Sequence, residues 1–523
     1  MINSGGRVLR WTAPAGKWQV LVVGDQFRTS QTRSVNNPTR GKDTSASLFD
    51  YLNADAARQF LAFTHEQYKK YVGDEFGKTV LGFRGDESDF AYTPWTPGIL
   101  ERFTSEKGYD IKPYLPLFFV PHPDPETRHA KADYWDVWSK LFRDNFFKIQ
   151  ADWCAANGLA YRVHLNHEDM MMQLVKSEGD FFRDMRYVQV PGIDAIWHQI
   201  WTDNVADFPK LASSAAHLFG RARAFTESFA AYRPTPDVAQ AKWIIDEQFV
   251  HGINDLEIMF YPSSANGEKK PAGFLGSDRF PSLVSYAERA AYLLSSGVPT
   301  ASIGVYFPTS SMWLGDEAAD KLTLDLTKQL LESQRDFDYV DDDSLANLLK
   351  LRQDSFENMS GSAYRTIIVP GADLISRKAL DRLKEFARSG GHVIFLECTP
   401  REISDRNILH AKPDGDFAWA TVRRLSDLRL PPFDVDFKSF LPSLKYLHRR
   451  LKDGDLYFFF NESDKPQATE ATLSGRGRAR ILDPTVGSEG DLAARIEGDR
   501  VRVKLSLEPS ESRFLLLSAD RTH

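Results

Sequence analysis

Cysteine is nearly absent from this chain: two residues in 523, Cys154 and Cys398, far apart and without a partner at metal-ligand spacing. That excludes a disulfide framework and a cysteine-based zinc site, and both read as buried thiols. No apolar run is long enough to cross a bilayer, and the opening residues, MINSGGRVLRW, carry no apolar signal core. The chain as written therefore reads as neither membrane-bound nor exported. A periplasmic or secreted location follows if a longer N-terminus precedes Met1, a cytoplasmic one otherwise. Basic charge is not in excess either: 65 Lys and Arg stand against 72 Asp and Glu, a net −7 spread along the chain. A nucleic-acid partner leaves a basic footprint, and none is present.

What the chain does have is length and aromatic side chains. At 523 residues it exceeds one hydrophobic core and should divide into about two to four domains. Aromatics make up 12% of it, with 11 Trp, and many crowd the first 300 residues beside acids and histidines. Sugar sites are often built this way, because a ring packs on the C–H face of a pyranose while polar groups take its hydroxyls. A large core would use the same rings.

Residues 11–28 (WTAPAGKWQVLVVGDQFR) place Pro and Gly between extended runs and predict a strand pair. Residues 52–77 read as a helix, and 97–108 as a short helix bracketed by Pro97 and Gly108. A long amphipathic helix over 132–156 closes on Asn157 and Gly158. From there strand and helix alternate: LAYRVHLN, IDAIWHQIW, RARAFTESF and DLEIMFYPSS are extended, and the last three are each followed by a helical stretch. Together with the strand in TVLGFRGDES (79–88), this predicts a parallel sheet with helical crossovers, a (β/α)8-type barrel over 1–299 with strands 4–8 present and the barrel incomplete.

Residues 300–430 alternate again and predict a flavodoxin-like α/β domain without a Gly-rich phosphate turn, hence no organic cofactor. Oligomerisation through it stays open. Residues 431–523 turn to short alternating strands and predict an antiparallel β-sandwich.

The chemistry is expected where buried strands end in carboxylates. TVLGFRGDES delivers Asp86 and Glu87, and RAFTES delivers Glu227. Glycosidic cleavage needs a proton donor to the leaving oxygen and a second carboxylate as nucleophile or base, so these two glutamates are the candidate catalytic pair. Strand-end acids also cap helices. His164 and Asn166 in HLNHED, with Glu168 beside them, and Trp197, His198 and Trp201 in IWHQIW are candidates for binding hydroxyls. Each is equally explained by core packing. Asp194 or Glu168 could serve a hard cation. Glu257 on the last strand would position substrate or orient Glu227. Met170 to Met172 suit a cleft or an apolar loop, and Asp246 and Glu247 read as a solvated helix face.

The segments WTAPAGKWQVLVV, DYLNADAARQFLAFTHEQYKKYVGDEFGKTVLGFRGDES, WTPGILERFTSEKGYDIKPYLP, AFTESFAAY with TPDVAQAKWIIDEQFVHGIN, and YFFFNES resemble the α-L-rhamnosidase glycoside hydrolase family, family 106. The resemblance implies a barrel enzyme with accessory β domains, acting by inversion on terminal α-L-rhamnose of polysaccharides, with calcium near its site. By position, Glu87 falls on the general acid, Glu227 on the general base and Asp194, loosely, on a calcium ligand. The chain departs from the family by beginning inside the barrel, so nothing from strands 1–3 carries over. Two other readings remain: a retaining β-galactosidase-like glycosidase on the same scaffold, and a non-catalytic carbohydrate-binding fragment.

Overall fold

The computed structural model describes residues 11–24, 50–90, 93–121, 123–202, 206–259, 273–405, 408–432 and 434–518. Its first sheet has five parallel strands in sequence order: β1 (Gly82–Asp86), β2 (Ala160–His164), β3 (Val190–Ala195), β4 (Phe225–Ser228) and β5 (Asp255–Ile258). Asp86 pairs opposite His164, Arg162 opposite Val190, and Asp194, Glu227 and Glu257 lie abreast. Strand side chains alternate between faces, so this register puts Arg84, Asp86, Arg162, His164, Asp194, Glu227, Asp255 and Glu257 on one face. The other face carries Phe83, Val163 and Ile193 toward the apolar core. The result is a parallel half-barrel sheet with a charged concave side.

Helices Pro209–Leu218, Val238–Val250 and Phe280–Leu294 follow β3, β4 and β5. The long helical rod expected over 132–156 starts earlier, at Pro125, where Asp124 accepts the Thr127 amide at 3.0 Å. It runs through a wide turn, Arg143–Phe147, into Lys148–Ala156. The helix expected over 52–77 divides at Thr64 into Ala54–Phe63 and His65–Val72.

Three expectations need correction. Residues 11–24 form no strand and lie exposed, while 25–28 fall outside the described residues. Without a third strand or a covering helix an isolated ribbon has nothing to bury against, and here Trp18 closes locally on the Pro14 carbonyl at 2.8 Å. Asp246 and Glu247 are not solvated: both are buried, because helix Val238–Val250 lies between the half-barrel and the C-terminal strands. Trp243 Nε1 reaches the Glu462 carbonyl at 2.9 Å and Lys242 Nζ reaches Ser512 Oγ at 3.0 Å. Cys154 is buried as expected, but Cys398 is only half-buried.

The second parallel sheet has the order Phe337–Val340, Ile303–Tyr306, Thr366–Pro370, His392–Leu396, Thr421–Arg423, which in chain sequence is 2-1-3-4-5, the doubly wound flavodoxin order. Two antiparallel sheets of four and six strands follow. The six-stranded one also takes in Val298–Pro299, paired with Leu444–Leu451, so the link between the parallel sheets is stapled to the C-terminal region. One apolar cluster runs from Leu52 through both parallel sheets to Phe514, and a second fills the space between the antiparallel sheets. Among the described residues no helix is long and apolar enough to cross a membrane.

On the concave face Gly192 leaves room for the Phe225 ring, whose face carries the Arg162 guanidinium 4.3 Å from its centroid. A Cβ at Gly192 would lie 2.2 Å from that ring. Gly192→Ala is therefore expected to overpack β3 against β4 and lose about 1–3 kcal/mol. A denaturant titration followed by tryptophan fluorescence checks this, and an unchanged midpoint would mean that the ring swings aside freely.

Candidate active site

The end of β1 is shaped by small residues and then by strain. A side chain at Gly85 would strike Tyr161 Oη and Val163 Cγ2 at 2.7 Å, so only glycine lets β1 lie this close over β2. Two residues later Glu87 adopts a positive φ of 38°, a region that non-glycine residues rarely enter, and this turns the chain off the strand end.

Arg84 is the hub of the concave face. Its Nη2 lies 2.8 Å from His164 Nε2, contacts Glu227 Oε2, and stands 3.9 Å from Asp86 Oδ1, while Nε is 3.5 Å from Glu257 Oε2. Arg162 adds a second cation, 3.5 Å from Asp255 and 3.7 Å from Glu257. A guanidinium only donates, so His164 Nε2 accepts and the ring proton is assigned to Nδ1, facing the Leu165 carbonyl at 3.0 Å and Asp194 Oδ1 at 3.2 Å. His164 is thus locked in one orientation between β1 and β3. It also lies 3.2 Å from Glu227 and 3.3 Å from Asp86.

The acids differ in their company. Burial, with the neighbouring Glu87 carboxyl that is hydrogen-bonded to it, pushes Asp194 up to about 7 against the opposing pull of the His164 Nδ1–H and the Arg84 guanidinium. Beneath it Glu168 is buried, its carboxyl driven well above the ordinary range by desolvation and then by Asp194, while Oε1 accepts the Leu165 amide at 2.8 Å. Near neutral pH a proton therefore resides among these carboxyls. Glu227 instead has its charge met by Arg84.

The structure gathers Asp86, Glu87, His164, Asp194, Glu227 and Glu257 into one group. It does not bring Asn166 there in the same way: its Nδ2 donates to Asp89 at 3.2 Å and its amide faces Glu178 at 3.3 Å, which anchors the loop after β2. Trp197, His198 and Trp201 form a separate aromatic lip after β3. His198 stacks on Tyr232 at 5.0 Å with Trp201 at 4.4 Å, and Trp197 at φ 55° is 66% exposed. Met170 is exposed, whereas Met171 is buried at the start of Met171–Ser177. Arg84 and Arg162 were missed from sequence. The signal that could have found them is the strand alternation itself, two residues back from Asp86 and from His164.

The resemblance implies calcium, a cation that needs a set of oxygen donors. Calcium takes about six to eight oxygen ligands. Among the described residues the one group of acids and histidines with donor atoms close enough to share an ion is Asp86, His164 and Glu227, within 4.8 Å of one another. That set includes a nitrogen donor, and the Arg84 cation already sits against both carboxylates. Asp194 is engaged by His164 and Glu87. Asp86, His164, Glu227 and Asp194 as arranged do not fit a hard cation.

Carboxyl groups thus gather at the ends of parallel strands with an aromatic lip after β3, an arrangement compatible with sugar chemistry. The family model described as alpha-L-rhamnosidase matches residues 2–400, and the chain belongs to that family, glycoside hydrolase family 106. The rhamnosidase from Novosphingobium sp. PP1Y superposes with a TM-score of 0.73 at 21% identity, covering 91% of this chain and 48% of that one. A family 42 β-galactosidase from G. stearothermophilus gives 0.60 at 12% identity, covering 90% of this chain and 82% of the other, a likeness of fold alone. A curated relative from Formosa agariphila, named "Putative beta-glucuronidase", is 22% identical over 488 residues, 88% of this chain and 39% of its own length. The chain thus spans less than half the length of the rhamnosidase and of the curated relative.

Because the value for Asp194 is raised in the fold, its contribution to stability is fully present below about pH 4 and is lost as pH rises through about 7. Asp194→Asn, which keeps the shape without the charge, is expected to melt close to wild type at pH 4 and progressively above it toward pH 8. Melting curves across that range test this, and a constant difference would remove the assigned protonation.

Proposed function

We propose that this chain carries the acid and base of an inverting glycoside hydrolase acting on terminal α-L-rhamnosyl residues. The observation that carries the reading is the unequal company of two strand-end carboxyls: Glu227 on β4 lies against the Arg84 guanidinium, and Glu87 after β1 shares a hydrogen bond, and with it one proton, with the buried Asp194. Environments that separate two carboxyls in this way are how one site runs acid and base chemistry together.

In this reading the proton shared by Glu87 and Asp194 passes from Glu87 to the glycosidic oxygen as the C–O bond breaks, and Glu227 takes a proton from the water that attacks the opposite face of the sugar. Arg84 and His164 hold Glu227 at its post. Glu257, tied to the same guanidinium, fixes Arg84 and lies where a substrate hydroxyl could reach it. The Trp197, His198 and Trp201 lip offers a ring surface for the apolar side of the sugar.

Inversion requires room for water, with the two carboxyls about 6.5–9.5 Å apart, whereas a retaining enzyme on this scaffold would hold them at about 5–5.5 Å. A carbohydrate-binding role without turnover is the second reading, favoured by a sheet that has five strands among the described residues.

The test uses the chain with an aryl α-L-rhamnoside. Glu87→Gln and Glu227→Gln are each expected to lower kcat by about 10²–10⁴-fold with KM little changed. NMR of the first product should show the inverted anomer, and retention would overturn the assignment. If wild type and both variants are equally inert yet bind the sugar alike, the binding role replaces it.

A further inference from the structure

The sheet end opposite Asp86 and Glu227, where β4 and β5 begin, opens onto a cavity of about 190 Å³. Three regions of the fold meet there. Arg221 and Arg223 come from the run into β4, His217 from the end of helix Pro209–Leu218, Ser360 from the second α/β unit, and Arg449 from strand Leu444–Leu451 of the C-terminal sheets. Among the described residues that line it there are three guanidiniums and an imidazole and no carboxylate.

Two of these guanidiniums, those of Arg221 and Arg449, are poorly compensated. Arg449 is 6% exposed, and its donors reach only backbone carbonyls, Nε to Ser296 at 2.8 Å and Nη2 to Gly297 at 3.0 Å. Burial lowers it to about 10, opposed only by the field of Asp338. Arg221 Nε is buried without a hydrogen-bond partner, and burial lowers that side chain's value with the like charge of Arg186 adding to it. The acids around the cavity meet its other cations, His217 and Arg223, or Lys210, and none of them makes an ion pair with Arg221 or Arg449. Asp338 holds His217 and Tyr364 at 2.8 Å, Asp336 holds Lys210 at 2.7 Å, and Asp255 is shared between Arg162 at 3.5 Å and Arg223 at 3.6 Å. Folded proteins pair the charges they bury. This corner has surplus cations beside an open space.

We propose that the cavity is an anion site for a compact oxyanion of the phosphate or sulfate type, held by Arg221 and Arg449 with Arg223 at its rim. Guanidinium forks suit the two oxygen edges of such a group better than any other side chain does. The space is below the roughly 300–1,000 Å³ of pockets that enclose drug-sized ligands, so a small ion or the terminal charged group of a sugar fits, and an oligosaccharide does not. Occupancy would bridge the half-barrel to the C-terminal sheets, making the anion a structural clamp remote from Glu87 and Glu227. This assignment does not depend on the proposed hydrolytic activity.

The experiment measures the apparent Tm of the full chain in inorganic phosphate, in sulfate, in a sugar phosphate and in chloride at matched ionic strength and pH. Phosphate or sulfate is expected to raise the wild-type apparent Tm by about 2 °C or more over chloride. Arg221→Met should abolish that rise. Ala222→Glu, which places a carboxylate at the rim, should also abolish it while melting at or above wild type in chloride. Calorimetric titration of phosphate should give saturable heat in wild type and none in either variant. A rise of equal size in wild type and variants is the general effect of excluded salts and would overturn the site, as would no rise in wild type. A shift at lower concentration with the sugar phosphate than with the free ion would identify the saccharide-borne group as the source; the reverse order would identify the free ion. If Arg221→Met does not fold, Ala222→Glu decides the matter alone.

Discussion

The guanidinium of Arg84 is the interaction on which the rest of the concave face depends. Carboxylates from neighbouring parallel strands stand about 4.8 Å apart along the sheet, a distance at which like charges in a partly desolvated setting repel strongly. Asp86, Glu227 and Glu257 all approach Arg84, and His164 closes the arrangement from the next strand. Remove the cation and the register that brings these groups abreast becomes a liability. With it, the same register becomes a site.

Holding such a site in place takes a rigid support, and the distribution of the apolar core supplies one. Helix Val238–Val250 is covered on both sides, and its Trp243 and Lys242 are bonded to residues of the C-terminal sheets. The apolar cluster that backs the five strands continues through the second parallel sheet without a break. Strands that carry functional side chains and are backed in this way fix positions more closely than loops can. The loops take the variable part: the aromatic lip after β3, with Trp197 and His198 in positive-φ turns, stands apart from the charged group.

Two electrostatic regimes sit at opposite ends of one sheet. At the carboxyl ends acids outnumber cations, and the surplus is absorbed by protons on buried carboxyls such as Asp194 and Glu168. At the amino ends Asp255 meets Arg223, and the guanidiniums of Arg221 and Arg449 are left without a carboxylate, which is what the proposed anion would supply. The first imbalance suits proton transfer and the second suits ion binding. The difference follows from which residue types the chain places at the two ends of β4 and β5.

Much of the architecture was legible in the residues. The alternation of apolar strands with amphipathic helices announced the parallel sheet, and the phrases GFRGDES and FTES marked Glu87 and Glu227 as strand-end acids, because strand period and helix period are local properties. Membership of the rhamnosidase family was readable from the same segments. Within the described part of 11–28, residues 11–24, no strand forms, because Pro and Gly between extended runs do not say whether a third strand or a helix is there to cover them. Asp246 and Glu247 were misread because a helix with one face on a sheet looks solvated on the other until a second layer covers it. Arg84 and Arg162 went unnoticed although strand period puts them beside Asp86 and His164. The sequence by itself determined the elements and which acids stand at strand ends. Only the tertiary structure decided that Arg84 meets Glu227, that Glu87 meets Asp194, and that Arg221 and Arg449 face one cavity. Charges compensate through space, and the partners that set each group's protonation and position lie on strands far apart in the chain.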